Sequence, residues 1–190
     1  MRKKDNNKKI QIEQAVVTLV NELGYSNISM SKIAKKVGMS VSTLYVYYEN
    51  QEEMFRSVFR DKKQQMFKYL ENNINSDMQT KEMINQFCKN ILQYVREEAE
   101  DFLFIEQSLD SPFVNGLPQE LSEKFGKNII EAFTKGVKDG VLKNNNVILL
   151  ISFCVYPITQ IYKEAINKDG MLNDINFHEI IEMCWDAVKK

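Results

Sequence analysis

This sequence predicts an all-α protein with a small N-terminal three-helix head followed by a C-terminal helical bundle, and three observations carry that expectation. Only three prolines and seven glycines punctuate 190 residues, too few to close many short strands. Apolar residues recur at the i, i+3, i+4, i+7 spacing of a one-faced helix from one end of the chain to the other. The stretch from Ser29 to Met54, SMSKIAKKVGMSVSTLYVYYENQEEM, holds two short helical patterns joined at a glycine. With 44% hydrophobic and 27% charged residues, the chain can bury one good core plus a smaller module.

Taken in order, residues 1–9 form a basic tail with Arg2, Lys3, Lys4, Lys8 and Lys9, expected to lie along a nucleic-acid backbone or minor groove, or only to solubilise that end. No apolar run follows these charges, so no secretory leader is expected. Ile12, Ala15, Val16, Leu19, Val20 and Leu23 mark the first helix, which Gly24 ends. Ser29 caps the second, whose Ile33, Ala34 and Val37 share a face, and Gly38 supplies the positive φ of a sharp turn. Ser40 offers another N-cap, and Val41 to Tyr48 is long enough for two helical turns, with Leu44 pointing back at Ala34. Asn50 opens the next helix, Glu53 completing a capping box three residues on.

Two short helices so joined make a helix-turn-helix: the second can lie in a major groove while the first crosses the phosphate backbone. On that geometry Ser40, Val41, Ser42, Thr43 and Val46 are candidates for base edges and nearby phosphates, and Tyr45 and Tyr47 for phosphates through their hydroxyls. Ser29, Lys32 and Gln51 join the candidate DNA-binding set, and Tyr48 turns into the core. Charge agrees with this placement, since residues 1–50 carry a net +4 and residues 51–190 a net −5.

The segment resembles the TetR family of bacterial transcription regulators. The matching residues are Ser29, Ile33-Ala34, Gly38-Met39-Ser40 and Leu44-Tyr45-Val46-Tyr47-Tyr48. Met39 and Tyr48 replace the family's Val and Phe and keep the apolar role. Gln51 stands where the family has a phosphate-approaching Lys, so that contact is weakened or passes to backbone amides at the helix start. The resemblance implies a dimer built on a four-helix interface, two helices from each subunit.

The second half continues the helical pattern. Met54, Phe55, Val58, Phe59, Met66 and Leu70 predict a connecting helix over 51–73, a lever between a head of residues 1–50 and a regulatory and dimerisation domain of residues 51–190. The polar run 72–77 breaks it. Ile84, Phe87, Cys88, Ile91, Leu92 and Val95 predict a helix over 81–98; Phe102 to Ile105 crowd a short segment; and one helix is expected from Pro118 to Gly140. VILLISFCVYPI, residues 147–158, is apolar on all sides and too short for a membrane span, so a second copy is expected to cover it. Pro157 should bend it. Phe177 to Val188 form a last stripe.

From this follow the functional expectations. A homodimer, with Ile151, Val155, Ile158, Tyr162, Ile181, Trp185 and Val188 at its interface, binds a pseudo-palindromic double-stranded DNA operator. A small apolar or amphipathic effector enters among Phe87, Ile91, Tyr94, Phe102, Phe104, Phe125, Ile129, Phe133, Phe153 and Tyr156, and releases the DNA from what is then a repressor. Tyr94, Gln107, Asn128, Tyr156 and Gln160 are its polar anchors, and an aromatic stripe is in each case also simple core. The alternative is an activator or architectural DNA-binding protein of the same fold, controlled by a protein partner. The lone histidine, His178, has no catalytic company, and no metal-ligand spacing or glycine-rich loop occurs, so neither an enzyme nor a cofactor is expected. Cys88, Cys154 and Cys184 read as buried thiols of a cytoplasmic protein with no membrane partner.

Overall fold

The computed structural model describes residues 2–75, 77–166 and 176–190, with side chains from residue 6 onward at the N-terminus. Among the described residues the helices are α1 Arg2–Leu23, α2 Met30–Val37, α3 Val41–Leu44, α4 Gln51–Leu70 and α5 Thr80–Glu97. They continue as α6 Ala99–Ser108, α7 Leu117–Phe125, α8 Lys127–Lys138, α9 Val147–Ile166 and α10 Phe177–Val188. No strand forms among them; Leu142 and Lys189 make an isolated antiparallel bridge. The chain is all-α, in two compact units: residues 1–65 with 99–121, and residues 66–98 with 122–190.

The first unit is larger than the head read from the sequence. Within residues 1–50, Ile12, Val16, Val17, Leu19 and Val20 of α1 are buried with Ile33, Ala34 and Leu44, a core too small to hold three helices alone. The rest comes from the start of α4, whose Met54, Phe55, Val58 and Phe59 are all 0% exposed, and from residues 99–121. Phe55 packs against Phe104 and Phe113 with ring centroids 5.7 and 5.6 Å away. Arg56 Nη1 donates to the Phe113 carbonyl at 2.7 Å, Lys62 Nζ meets Asp101 Oδ2 at 2.7 Å with both side chains largely buried, and Asn21 Nδ2 donates to the Glu100 carbonyl at 2.9 Å. The boundary at residue 50 is therefore not where packing divides the chain. Phe102 and Phe104, expected in an effector cavity, are instead buried core of this unit.

The N-terminus also differs from expectation. Backbone helix begins at Arg2, so residues 2–9 continue α1 rather than forming a separate tail. Lys9 is drawn back onto the protein, 3.5 Å from Glu13 one turn on and 3.3 Å from Asp61 of α4. Burial opposes its charge, but the two carboxylates outweigh it and hold the ammonium above its ordinary pKa. Lys8 is exposed; the side chains of Arg2, Lys3 and Lys4 lie outside the described residues.

In the second unit α5 buries Ile84, Phe87, Cys88, Ile91, Tyr94 and Val95, and the Phe87 ring meets Phe133 of α8 edge-on at 5.8 Å. Cys88 of α5, Cys154 of α9 and Cys184 of α10 are buried free thiols in one core. Hydrogen bonds to the other two, then burial, hold the Cys88 thiol well above its ordinary pKa. The single helix expected over 118–140 is two, α7 and α8. Gly126 breaks it with φ −93° and ψ 6°, and a Cβ there would sit 2.7 Å from the Ser122 carbonyl oxygen and 3.1 Å from the Phe67 ring.

Candidate nucleic-acid interface

The turn at the centre of the head is built by caps. Ser29 Oγ accepts from the Lys32 N–H at 3.3 Å and starts α2. Gly38 ends it with φ 74° and ψ 35°, its N–H reaching the Ala34 and Lys35 carbonyls, a left-handed closure that a side chain would strain. Ser40 Oγ accepts from the Thr43 N–H at 3.1 Å and lies 2.8 Å from the hydroxyls of both Ser42 and Thr43. Ala34 and Leu44 are 1% and 0% exposed, which fixes α3 against α2.

α3 is shorter than the sequence suggested. It spans Val41–Leu44, and beyond it the Val46 and Tyr47 N–H groups bond three residues back, to Thr43 at 3.2 Å and Leu44 at 3.0 Å. Two β-branched residues and a serine give this turn little helical preference, and the Asn50 cap soon starts α4. Asn50 Oδ1 accepts from the Glu53 N–H at 2.8 Å while Glu53 Oε2 accepts from the Glu49 N–H at 3.2 Å, a capping box displaced by one residue.

The outward side chains of this turn are few. Val46 is 81% exposed and Tyr45 52%; Ser42 is exposed, and Val41, Thr43 and Tyr47 are half-buried. Four candidates have work inside the protein. Gln51 Nε2 donates to the Ile28 carbonyl at 3.1 Å, so this amide ties α4 to the segment before α2. Lys32 Nζ donates to the Asn27 carbonyl at 2.6 Å, and the Ser29 and Ser40 hydroxyls serve their own helices. Lys35, exposed in the last turn of α2, has no place in the sequence motif, yet its charge faces solvent beside the turn glycine; its i−3 spacing from Gly38 was the available signal. Tyr48 is 3% exposed and its hydroxyl has no partner; burial first, then Glu13, Asp61 and Glu53, push its pKa far up.

The second unit redistributes the other candidate residues. Phe87, Ile91, Tyr94, Ile129 and Phe133 are buried and Phe125 half-buried, but among the expected ligand contacts Ile129 is the one that lines the described cavity there, a space of about 360 Å3 also walled by Glu71, Ile74, Met83 and Asn128. Phe153 and Tyr156, expected inside, are 49% and 68% exposed, because they lie on the face of α9 away from Leu150, Cys154 and Ile158. Conversely Ile158, Tyr162, Ile181 and Val188, expected at a subunit interface, are at most 5% exposed within the single chain. α9 packs on α5, α8 and α10, so that stripe is already covered. Ile151, Val155 and Trp185 are half-buried, with Lys81 Nζ 5.7 Å from the Trp185 ring centroid.

A capped, glycine-turned helix pair on an otherwise all-helical frame defines a helix-turn-helix DNA-binding protein. Residues 14–58 match the family model described as bacterial regulatory proteins, tetR family, and residues 59–190 the one described as tetracyclin repressor-like, C-terminal domain. This chain belongs to the TetR family of transcription regulators. It is similar to a TetR family transcription regulator from Marinobacter aquaeolei VT8, at 26% identity and TM-score 0.89 over 100% of both chains. It shares its fold with the fatty acid degradation regulator FadR from Bacillus halodurans, TM-score 0.70 at 17% identity over 94% of this chain and 93% of that one. A fatty acid metabolism regulator protein of Bacillus subtilis (strain 168) is 35% identical over 77 residues, a match spanning 40% of each chain.

Proposed function

We propose that this regulator is a ligand-responsive repressor that binds a pseudo-palindromic operator as a homodimer and lets go when a small molecule with an apolar body occupies its second unit. The observation that carries this reading is the uncovered apolar row on α9, where Ile148, Leu149, Phe153 and Tyr156 are 57, 44, 49 and 68% exposed, with Met183 of α10 at 70%. A row of this size on a folded protein needs a cover. α9 is also long and apolar enough to cross a membrane, at mean hydropathy 1.3, but its inner stripe is packed against three helices of its own unit and the family acts on DNA, which favours a second copy over lipid. A two-fold partner covers the row with its own equivalent and brings a second head.

Two heads read one duplex only if their reading turns lie about 34–36 Å apart, one helical turn of DNA. α4 runs from Gln51 to Leu70 with neither proline nor glycine, so it serves as the lever by which an effector alters that spacing. The effector acts by binding the released state more tightly than the DNA-bound one. Two relatives named for fatty acid regulation support an effector with an apolar body. Tyr45, Val46, Ser42 and Tyr47 carry the DNA contacts, with Lys35 beside them, in the cytoplasm where the chromosome lies.

Selection of bound sequences from random duplexes tests this. The expected product is a pair of inverted half-sites spaced about 10 base pairs centre to centre, with binding that weakens steeply as salt rises. A single unrepeated half-site bound with full affinity contradicts it.

A further inference from the structure

Glu71 follows the last residue of α4 and extends its final turn, its N–H bonded to the Phe67 carbonyl at 3.1 Å. An acid is ill-placed there, because the unpaired carbonyls at a helix C-terminus favour a cation and disfavour a carboxylate. Glu71 Oε2 accepts from Asn128 Nδ2 at 3.1 Å, whereas Oε1 is buried and has no donor. A buried carboxylate oxygen without a donor is costly. Both residues wall the cavity of about 360 Å3 in the second unit, a volume that falls within the usual range of small-molecule sites, roughly 300 to 1,000 Å3. Ile74, Met83 and Ile129 give the same cavity an apolar lining. Its other acid, Glu131, is exposed and held by Lys127 at 3.5 Å, and Lys135 is exposed as well, so among these charged side chains the half-buried Glu71 is the one that keeps an oxygen, Oε1, out of solvent.

We propose that this cavity binds a protonated amine carried on a compact apolar body, the ammonium donating to Glu71 and the body lying against Ile74, Met83 and Ile129. An anion there meets both the carboxylate and the helix end, and a neutral ligand gives Oε1 at most an uncharged donor, a weaker bond than an ammonium makes. The inference rests on the effector reading only for its consequence at the DNA; the site itself stands on the cavity and its unpartnered acid.

Isothermal titration of the full-length protein with 1-adamantylamine, 1-adamantanol and 1-adamantanecarboxylate holds the apolar body constant while the charge changes. The amine should bind about tenfold more tightly than the alcohol, the carboxylate more weakly than either, and Glu71→Gln should cost the amine about tenfold while leaving the alcohol unchanged. Ala132→Leu, which fills the cavity from its wall, should weaken both. Carboxylate binding as tight as the amine's, no amine binding, or full amine affinity in folded Glu71→Gln overturns the site. Gel shifts on the same samples separate the two ideas. Amine that binds through Glu71 and leaves the DNA complex intact supports the site and fails the effector reading; DNA released equally from wild type and Glu71→Gln does the reverse.

Discussion

The two units of this regulator both fill their interiors with aromatic and aliphatic side chains, but they finish their surfaces in opposite ways. Around the reading turn nearly every polar group is tied to its own chain: Ser29 and Ser40 to the helices they start, Lys32 to the Asn27 carbonyl, Gln51 to the Ile28 carbonyl. What remains outward is a short rigid set headed by Tyr45 and Val46. On α9 the apolar stripe instead runs past what the core needs and leaves four large residues in solvent. The proposed duplex surface fixes a few side chains on a tight turn, whereas the proposed self-association face extends a stripe around the helix.

The comparison breaks most severely if residues 99–121 are not part of the first unit's core. Phe104→Ala should cost about 3–5 kcal/mol of stability by denaturant titration and take DNA binding with it, the usual result of emptying a buried aromatic site. A loss under about 1 kcal/mol, with only a ligand response altered, would return Phe104 to a cavity role. Next in size is Gly38→Ala, which places a side chain at φ 74°; about 1–2 kcal/mol should be lost, and an unchanged melting temperature would deny that the turn is strained.

Lys63 gives a pH-dependent test within the same unit. Burial pushes its ammonium down to about 8 against the opposing pull of Glu106. A folded pKa below the unfolded one means the folded chain binds fewer protons between the two values, so stability rises with pH from about 8 toward 10. Lys63→Met should therefore raise stability by about 1 kcal/mol at pH 7, and the gain should shrink by pH 10. A gain independent of pH would sink this account. The smallest effect is at the paired tyrosines: Tyr48→Phe removes a buried hydroxyl that has no partner and should change stability by no more than about 0.5 kcal/mol, while Tyr47→Phe should leave the fold intact and lower DNA affinity several-fold.

The head was legible from the sequence because its signals are local. Ser29, Gly38, Ser40 and Asn50 act within four residues of themselves, so a short reading finds each cap. α3 came out short because weak helix formers follow its cap and the chain passes into turns bonded three residues back. The second unit was less legible. Helical spacing correctly marked Ile158, Tyr162, Ile181 and Val188 as apolar, but no pattern in one helix tells which of two apolar faces meets its own chain. Phe153 and Ile158 are both large and apolar, and only the packing of α9 on α5, α8 and α10 separates them. Glu71 gave no sign at all, since its hydrogen-bond partner Asn128 lies 57 positions away in the sequence.

The central claim is that the exposed row on α9 belongs against a second copy, which sets two reading heads on one duplex. Light scattering on the protein eluting from a sizing column measures it directly, with wild type compared to a Phe153→Glu, Tyr156→Glu double variant. Two chains per particle for the wild type, and a folded single chain with greatly weakened operator binding for the variant, is the predicted result. A wild-type monomer, or a variant that stays dimeric and binds DNA as before, contradicts it.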